Sequence, residues 1–557
     1  MNKLKRNVCI EVVLITLILL CLFLREMKLY HNKISGYKHF SSGNISVEMF
    51  GAKGDGVTDD TKAINDAYNF ARANRMDVYY TSSAYLITSI INGTGVNSFG
   101  NMSRLIFKVN PTTGCAFRWG GEGCTVNGLW FDLYNTVQNT AMQGVVNSVN
   151  NVKNQNFTNN KINTNTFMSN GDANIYGLWF DSTGIEDLYV ANNGIDNCKY
   201  GIQINNQSSQ DIDVDISPLG NPSKNIIIEN NRLMDATIGI NTPHIFCSNV
   251  IVSKNIVKSK YGLEINLAHV TNYKVIDNIC EGDISAIDSN IHIEDVSYNG
   301  IISGNELKPS ANQDGIRYIV APGVSKDSRN FNDSSIITNN FITGKGSNSN
   351  TSGILVGDIY GNFLKITNNK VSSIKNGIIT CGYNNSTSRN NIDNANLALT
   401  IIGANTEIND STFINCFNII KTTKDVEINN CKIINSYCIS PIRDKKSNSK
   451  VIYNNINYIK INVNDNTQYD LITLPEGEFN FDIGITAQNE TDVILSEFSI
   501  KGNKDEVHIE RRGNKEGGVD NIVLENYGGK ISIHNLNVNK SENIYTTINI
   551  KGKLVFY

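Results

Sequence analysis

Two carboxylates and an arginine recur at one position of a repeated phrase. Glu264, Asp288 and Arg317 stand two residues after a glycine, or after an alanine in its place, in Gly262-Leu263-Glu264, Ala286-Ile287-Asp288 and Gly315-Ile316-Arg317. Earlier copies read Gly177-Leu178-Trp179, Gly201-Ile202-Gln203 and Gly239-Ile240-Asn241. If each phrase is a strand, side chains alternate between faces. Leu178, Ile202, Ile240, Leu263, Ile287 and Ile316 are then expected inside, and the residue after each of them outside. A second outer column runs Asp181, Asn205, Pro243, Asn266 and Asn290. Strands stacked about 4.8 Å apart would bring Glu264 and Asp288 close enough to act as the acid and nucleophile of a retaining glycoside hydrolysis. Stacked like charges also favour keeping one carboxyl protonated, as a general acid requires. Alternatively, Arg317 would serve as base or electrophile in an elimination, with the carboxylates holding a Ca2+ ion against an acidic sugar. Trp179 offers an aromatic face for a sugar ring, and Asp181, Gln203, Asn205 and Asn266 offer hydrogen-bonding groups beside it. His244, His269 and His292 fall near the same coils. The competing reading is a solvated polar face, with Asp288 and Arg317 forming a surface ion pair worth less than about 1 kcal/mol.

The elements that would carry this column come from a second repeat, an alternating apolar run that ends in asparagine. It appears as Ile226-Ile227-Ile228-Glu229-Asn230-Asn231 and as Val250-Ile251-Val252-Ser253-Lys254-Asn255. It returns near Asn278, Asn305, Asn340, Asn369, Asn430 and Asn455, with fainter copies at Asn127, Asn160 and Asn193. A period in the range of 20–50 residues marks a solenoid. Richness in β-branched residues makes the coils strands rather than helix pairs. Asparagine suits the bends because it tolerates left-handed backbone, and stacked asparagines can share amide hydrogen bonds between coils. The leucine-rich frame is absent. The expected fold class is all-β, a parallel β-helix over residues 45–460.

One further stretch bears on the fold. Residues 45–61 read as a strand with Val47 and Met49 alternating, a turn punctuated by Gly51, Gly54 and Gly56, and a helix start at Thr58, Asp59 or Asp60. Ala63, Ile64, Ala67, Tyr68 and Ala71 follow at helical spacing, predicting a helix over 60–74. The pattern Phe50-Gly51-Ala52-Lys53-Gly54-Asp55-Gly56 with Thr58-Asp59-Asp60-Thr61 resembles the N-terminal cap of the pectate-lyase superfamily, which includes polygalacturonases, rhamnogalacturonase/epimerase-like proteins and phage tailspikes. The resemblance implies a right-handed parallel β-helix acting on polysaccharide. It does not imply polygalacturonase chemistry: the chain lacks Asn-Thr-Asp, Gly-His-Gly and Arg-Ile-Lys, and its only Asp-Asp is Asp59-Asp60 in the cap. Asp55, Asp59 and Asp60 resemble a cation loop, but capping is the stronger expectation. Trp130, in Gly128-Leu129-Trp130-Phe131-Asp132, is expected to be a packing residue.

Composition limits the remaining choices. With 49 Lys+Arg against 53 Asp+Glu the net charge is -4, which gives no reason to expect a nucleic-acid partner. Lys3, Lys5 and Arg6 precede an apolar run from Val8 to Leu24, with no small-residue cleavage pattern after it. Residues 1–29 are therefore expected to be a signal anchor, with a linker over 30–44 and the rest of the chain outside the cytoplasm. The alternative is secretion after cleavage. Of 11 cysteines, Cys9 and Cys21 fall in the anchor, and the others show no metal-site spacing. Cys280, Cys381, Cys416 and Cys431 are expected to be small interior residues. After about Lys460 the repeat fades, and residues 461–557 are expected to form a separate β-rich domain, a sandwich, of the kind that carries trimer contacts in tailspike-like proteins. The combined expectation is an extracytoplasmic lyase or hydrolase of bacterial surface polysaccharide. A non-catalytic glycan-binding or structural β-helix and a tailspike-like depolymerase are the alternatives.

Overall fold

In a computed structural model the described residues run from Gly43 to Phe556. They exclude 110–113, 134–141, 150–151, 165–174, 182–183, 206–221, 243–246, 295–296, 320–333, 347–350, 358–361, 435, 437–441, 444–450, 462–468, 474–478, 489–492, 503–506, 513–522, 528–529 and 535–544. The expected anchor, nearly all of the linker, Pro243 and His244 lie outside the described residues.

The chain is a parallel β-helix. Along the helix the coils contribute short strands to three parallel sheets, in which strands pair with their counterparts in the adjacent coils. The third sheet carries the site, and seven of its strands are needed below: β1 (Tyr176–Asp181), β2 (Tyr200–Asn205), β3 (Ile238–Thr242), β4 (Ile265–Ala268), β5 (Ile287–Glu294), β6 (Asn312–Ile319) and β7 (Ser352–Gly357). Consecutive members pair in parallel.

The interior is a set of stacked columns. Near the N-terminal end the column is aromatic: Phe107 stacks on Phe131 and Phe131 on Phe157, with ring centroids 6.5 and 6.0 Å apart. Further along, the third sheet's inner column becomes Ile202, Ile240, Ile265, Ile291, Ile316 and Ile354, all fully buried. Flat β-branched side chains at the strand spacing leave little void, so each coil is held chiefly by its neighbours.

The asparagine repeat is a buried ladder running through Asn160, Asn193, Asn231, Asn255, Asn278, Asn305, Asn340, Asn369 and Asn390. Each Oδ1 accepts the backbone N–H of the preceding ladder residue, as Asn278 does from Asn255 at 3.0 Å and Asn305 from Asn278 at 3.0 Å. The Nδ2 group donates to a carbonyl of that earlier coil, Asn278 to Val252 O at 2.9 Å. The left-handed bend belongs to the residue before the ladder asparagine: Asn192, Asn230, Lys254, Asp277, Asn339, Asn368 and Arg389 all have φ between 54 and 59. Asn430 (φ 52) takes that bend rather than a rung. The ladder itself ends at Ser411, whose Oγ accepts from Asn390 N.

Helix α1 (Thr61–Asn74) closes the N-terminal end, with Ile64, Ala67, Tyr68 and Ala71 fully buried over the first coils. The expected strand through Val47 and Met49 is instead Asn44–Ser46 followed by a 3-10 turn over Val47–Phe50, which leaves Met49 exposed. The acidic loop is satisfied from within. Asp59 accepts from Thr61 N, Thr61 Oγ1 and Thr88 Oγ1, Asp60 from Lys53 N and Gly54 N, and Asp55 from Val57 N, Thr58 N and Thr58 Oγ1. Asp59 thus holds the first residue of the helix, while Asp60 ties down the glycine loop.

At the other end, strand Val451–Ile461 is parallel to the coil before it and antiparallel to Tyr545–Phe556. From there the pairing is antiparallel through Phe479–Gln488, Val493–Gly502 and Val507–Arg512. A separate three-stranded antiparallel sheet joins Tyr469–Thr473, Lys530–His534 and Val523–Tyr527. No helix among the described residues is long and apolar enough to cross a membrane. Of the cysteines expected inside, Cys280, Cys416 and Cys431 are buried and Cys381 is half-buried.

Candidate active site on the third sheet

The corner that leads into the third sheet is a column of glycines with no room for a side chain. A Cβ on Gly177 would lie 2.8 Å from Gly201 O, one on Gly201 2.6 Å from Gly239 O, and one on Gly239 2.5 Å from Glu264 O. Further on, a Cβ on Gly315 would lie 2.6 Å from Gly353 O, and one on Gly353 2.7 Å from Gly377 O. Register therefore places Glu264 and Asn290 at the glycine position of their coils, because Ile240 pairs with Ile265 and Ile265 with Ile291.

This corrects the expected alignment. Glu264 is not an outer residue. It is fully buried, and its carboxylate accepts from Ser259 N and Oγ, Asn290 Nδ2 and Gln313 Nε2. Burial pushes its carboxyl up to about 7, against the pull of the hydrogen bonds from Ser259 and Asn290. Ile287, expected inside, is 58% exposed, and Ile291 fills the interior in its place. The cause is chain length in the corner. Gly239 follows ladder residue Asn231 by eight residues, whereas Asn290 follows Asn278 by twelve. The added residues form a turn with Ile284 in solvent and lengthen β5 at its start, where Ile287 is exposed and Asp288 has left-handed backbone, φ 77.

The outer column that the register defines runs Trp179, Gln203, Asn241, Asn266, His292 and Arg317. Of the column expected here it keeps Trp179, Gln203, Asn241 and Arg317, and Asn266, expected in the second column, stands in it instead. Asp181 and Asn205 pair with each other in the neighbouring column by their backbones; their side chains lie outside the described residues. Trp179 presents no open face: it is 1% exposed and packs edge-on against Tyr176 at 5.5 Å. Asn241 Nδ2 donates to Gln203 Oε1 at 2.8 Å, and Asn266 Nδ2 to Asn241 Oδ1 at 3.0 Å and to Glu294 Oε1 at 2.9 Å. The buried amides thus lead as a chain to Glu294.

The charged groups converge there. His292 lies between two carboxylates of its own strand, Nδ1 3.6 Å from Asp288 Oδ1 and Nε2 4.0 Å from Glu294 Oε2. From β6, Arg317 Nη1 donates to Asp288 Oδ1 at 2.8 Å and Nε to Asp314 Oδ2 at 3.2 Å. Asp314 is nearly buried and also accepts Ser352 N at 2.6 Å; burial raises its carboxyl, and the Ser352 and Arg317 contacts oppose the rise. Asp288, Glu294 and Arg317 are each about a third exposed, so the cluster reaches solvent. Glu294 and Asp314 were not singled out from the sequence, and His292 only as lying nearby. The signal for His292 and Glu294 is the strict alternation Ile291-His292-Ile293-Glu294, which places both polar residues outside; Asp314, just before Gly315, has no such signal.

The other candidates fall elsewhere. His269 stands at the left-handed turn after β4, with φ 54. Trp130 is half-buried and packs on the outer side of its strand, with Arg104 4.7 Å and Lys161 4.2 Å from its ring centre. Among the described residues no group of three or more His, Cys, Asp and Glu is placed to hold a metal ion.

No family model matches the chain. A 65-residue stretch, 12% of the chain, is 45% identical to a protein of Arthroderma benhamiae described as a probable glucan endo-1,3-beta-glucosidase, and the match spans 7% of that protein's length. Among solved structures, the Dettilon tailspike protein gp208 aligns over 91% of this chain and 94% of its own, at 11% identity and a TM-score of 0.35. PfbA, a surface adhesin of Streptococcus pneumoniae, aligns over 84% and 98%, at 13% identity and a TM-score of 0.32. The gp49 tailspike of Acinetobacter baumannii bacteriophage Fri1, a capsular polysaccharide depolymerase, aligns over 93% and 88%, at 8% identity and a TM-score of 0.27.

Proposed function

We propose that the chain is a glycoside hydrolase acting on a surface polysaccharide, with its groove on the outer face of β4, β5 and β6. The observation that carries this reading is His292 between Asp288 and Glu294. Glycoside hydrolysis uses two carboxyl groups on either side of the scissile bond, and their spacing sets the stereochemistry. The imidazole stands between the two carboxylates, with Nδ1 3.6 Å from Asp288 Oδ1 and Nε2 4.0 Å from Glu294 Oε2, so the two acids flank one stretch of the outer face as such a pair must. Glu294, joined to the amide chain through Asn266, is the general acid of this reading, and Asp288 the base that activates water. Hydrolysis is favoured over elimination because Arg317 is already shared by Asp288 and Asp314. The groove therefore offers acids rather than a spare cation for a uronate carboxylate, which suits a neutral glycan. The short likeness to a protein named as a glucan glucosidase supports the same direction.

The chain is further proposed to be held at the cytoplasmic membrane by Val8–Leu24, with the β-helix outside. Lys3, Lys5 and Arg6 ahead of that apolar run support this orientation.

The test is digestion of a panel of neutral and acidic bacterial polysaccharides by the parent and by Glu294→Gln. New reducing ends without ultraviolet absorbance, lowered roughly 100-fold or more in Glu294→Gln, are expected. An absorbing unsaturated product would replace hydrolysis by elimination. Binding without cleavage by the parent would favour a glycan-binding role.

A further inference from the structure

Glu264 and Asn290 interrupt the glycine column immediately behind the cluster, and their side chains bond to each other instead of leaving the corner empty. Asn290 Nδ2 donates to Glu264 Oε2 at 3.0 Å and to Gln313 Oε1 at 3.1 Å. Gln313 Nε2 donates to Glu264 Oε2 at 2.9 Å and to Gly262 O at 3.0 Å, and its Oε1 accepts Ser310 N at 3.2 Å. All three side chains are fully buried. Asn290 lies on the same strand as Asp288 and His292, and Gln313 pairs with Asp288 in the register. Glu264 therefore touches both strands that carry the charged cluster, one layer behind it.

We propose that Glu264 is the positioning residue of the candidate site, a proton-linked clasp that fixes β5 against β6 and thereby sets Asp288 against Arg317. The hydrogen-bond inventory shows why the proton matters. Ser259 Oγ lies 2.5 Å from Glu264 Oε1 and 2.9 Å from Gly262 O, but a hydroxyl has one hydrogen and cannot donate to both. With Glu264 protonated, its O–H donates to Ser259 Oγ, Ser259 donates to Gly262 O, and Asn290 and Gln313 donate to the other carboxyl oxygen. With Glu264 ionised, Ser259 turns to the carboxylate, and a full negative charge sits in a buried site. The protonated form gives Ser259 Oγ and both Glu264 oxygens partners and places no charge in the buried site. The titratable group facing Glu264 from the neighbouring strand Ile279–Gly282 is Cys280. Its thiol is pushed far up, by burial first and then by the Glu264 charge, so it stays neutral and leaves Glu264 to titrate. Glutamine keeps the uncharged pattern toward Ser259 Oγ, Asn290 and Gln313, its Nε2 standing in for the O–H, and gives up only the 3.3 Å bond accepted from Ser259 N, whereas alanine removes the clasp.

The inference depends on the hydrolase reading only for its catalytic consequence, and its test uses no substrate. Backbone hydrogen exchange is measured on the full chain between pH 6 and 8, corrected for the intrinsic pH dependence of exchange. In the parent, exchange in 287–294 and 312–319 is expected to speed up roughly tenfold across that range. Glu264→Gln should keep the slow rate at both ends, and Glu264→Ala should show the fast rate at both, with distant strands such as 391–401 unchanged in each. A parent whose corrected exchange is flat with pH, or a Glu264→Gln profile that follows the parent's, would overturn the proposal. So would a Glu264→Ala chain that exchanges faster evenly in every coil. Loss of glycan cleavage in Glu294→Gln without any of these changes bears on the hydrolase reading alone.

Discussion

Arg317 reaches back one coil to donate to Asp288 Oδ1 at 2.8 Å, and the aspartate it holds has left-handed backbone, φ 77. That conformation costs an ordinary residue about 1 kcal/mol, and aspartate and asparagine are among those that tolerate it. It turns the chain out of the long corner after Asn278 and aims the carboxylate along the outer face toward His292. Asparagine at 288 keeps both volume and backbone tolerance. Asp288→Asn is expected to change folding stability by no more than about 1 kcal/mol, as for an exposed ion pair, and to lower cleavage roughly 100-fold. Thermal melts and rates on the same preparation check both halves.

Gly353 sits where a Cβ would lie 2.3 Å from Val371 Cγ1 and 2.7 Å from Gly377 O. The carbonyl belongs to the adjacent coil and cannot move without breaking a ladder. Gly353→Ala should destabilise by about 1–3 kcal/mol. At Gly344, where the nearest backbone atom would lie 2.5 Å away, a comparable loss is expected. Urea unfolding monitored by circular dichroism measures both. A neutral Gly353→Ala would show that the corner can widen.

Asn278 accepts from Asn255 N and Nδ2 and donates to Val252 O and to Asn305 Oδ1, all within the core. Alanine there leaves buried donors and acceptors on two neighbouring coils unpaired, each worth about 1–3 kcal/mol. Asn278→Ala should therefore cost more than Asn409→Ala, an asparagine that is only half-buried. Denaturation midpoints of the two variants decide the matter.

The ladder shows what the sequence carries well. One asparagine per coil, each followed by an apolar alternation, reflects a contact that every coil repeats, so the period survives insertions elsewhere. The site was less legible for the same physical reason. Glu264 and Asp288 look equivalent when coils are aligned on glycine, but the corner between ladder and third sheet has no fixed length. Its glycine is replaced at Glu264 and Asn290, where side chains fold inward. Counting back from the inner isoleucines Ile265, Ile291 and Ile316 recovers the true column, whereas counting from glycine does not. Arg317 was placed correctly because its coil keeps glycine at 315.

The segment Val8–Leu24 carries a prediction independent of the groove. A reporter enzyme active only after export, fused after Tyr557, should be active, and most of the protein should stay with membranes through a high-salt wash. A shortened chain in the soluble extracytoplasmic fraction would identify cleavage instead.

The last prediction follows from the sign of the Glu264 shift. Its carboxyl is raised from an ordinary value near 4.5 to about 7 in the folded chain, chiefly by burial. Between those values the folded state holds a proton that the unfolded state has released. Stability from this group is therefore fully present below about pH 4.5 and is lost as pH rises through about 7. Asp59 and Glu186 shift downward and act in the opposite sense below the ordinary carboxylate range, while burial raises Asp314 and Asp196, which act in the same sense as Glu264, so the Glu264 share is the part of the slope that Glu264→Gln removes. The parent should melt at lower temperature at pH 8 than at pH 6, and Glu264→Gln should flatten that difference. A difference of the same size in both chains would assign the slope to another group.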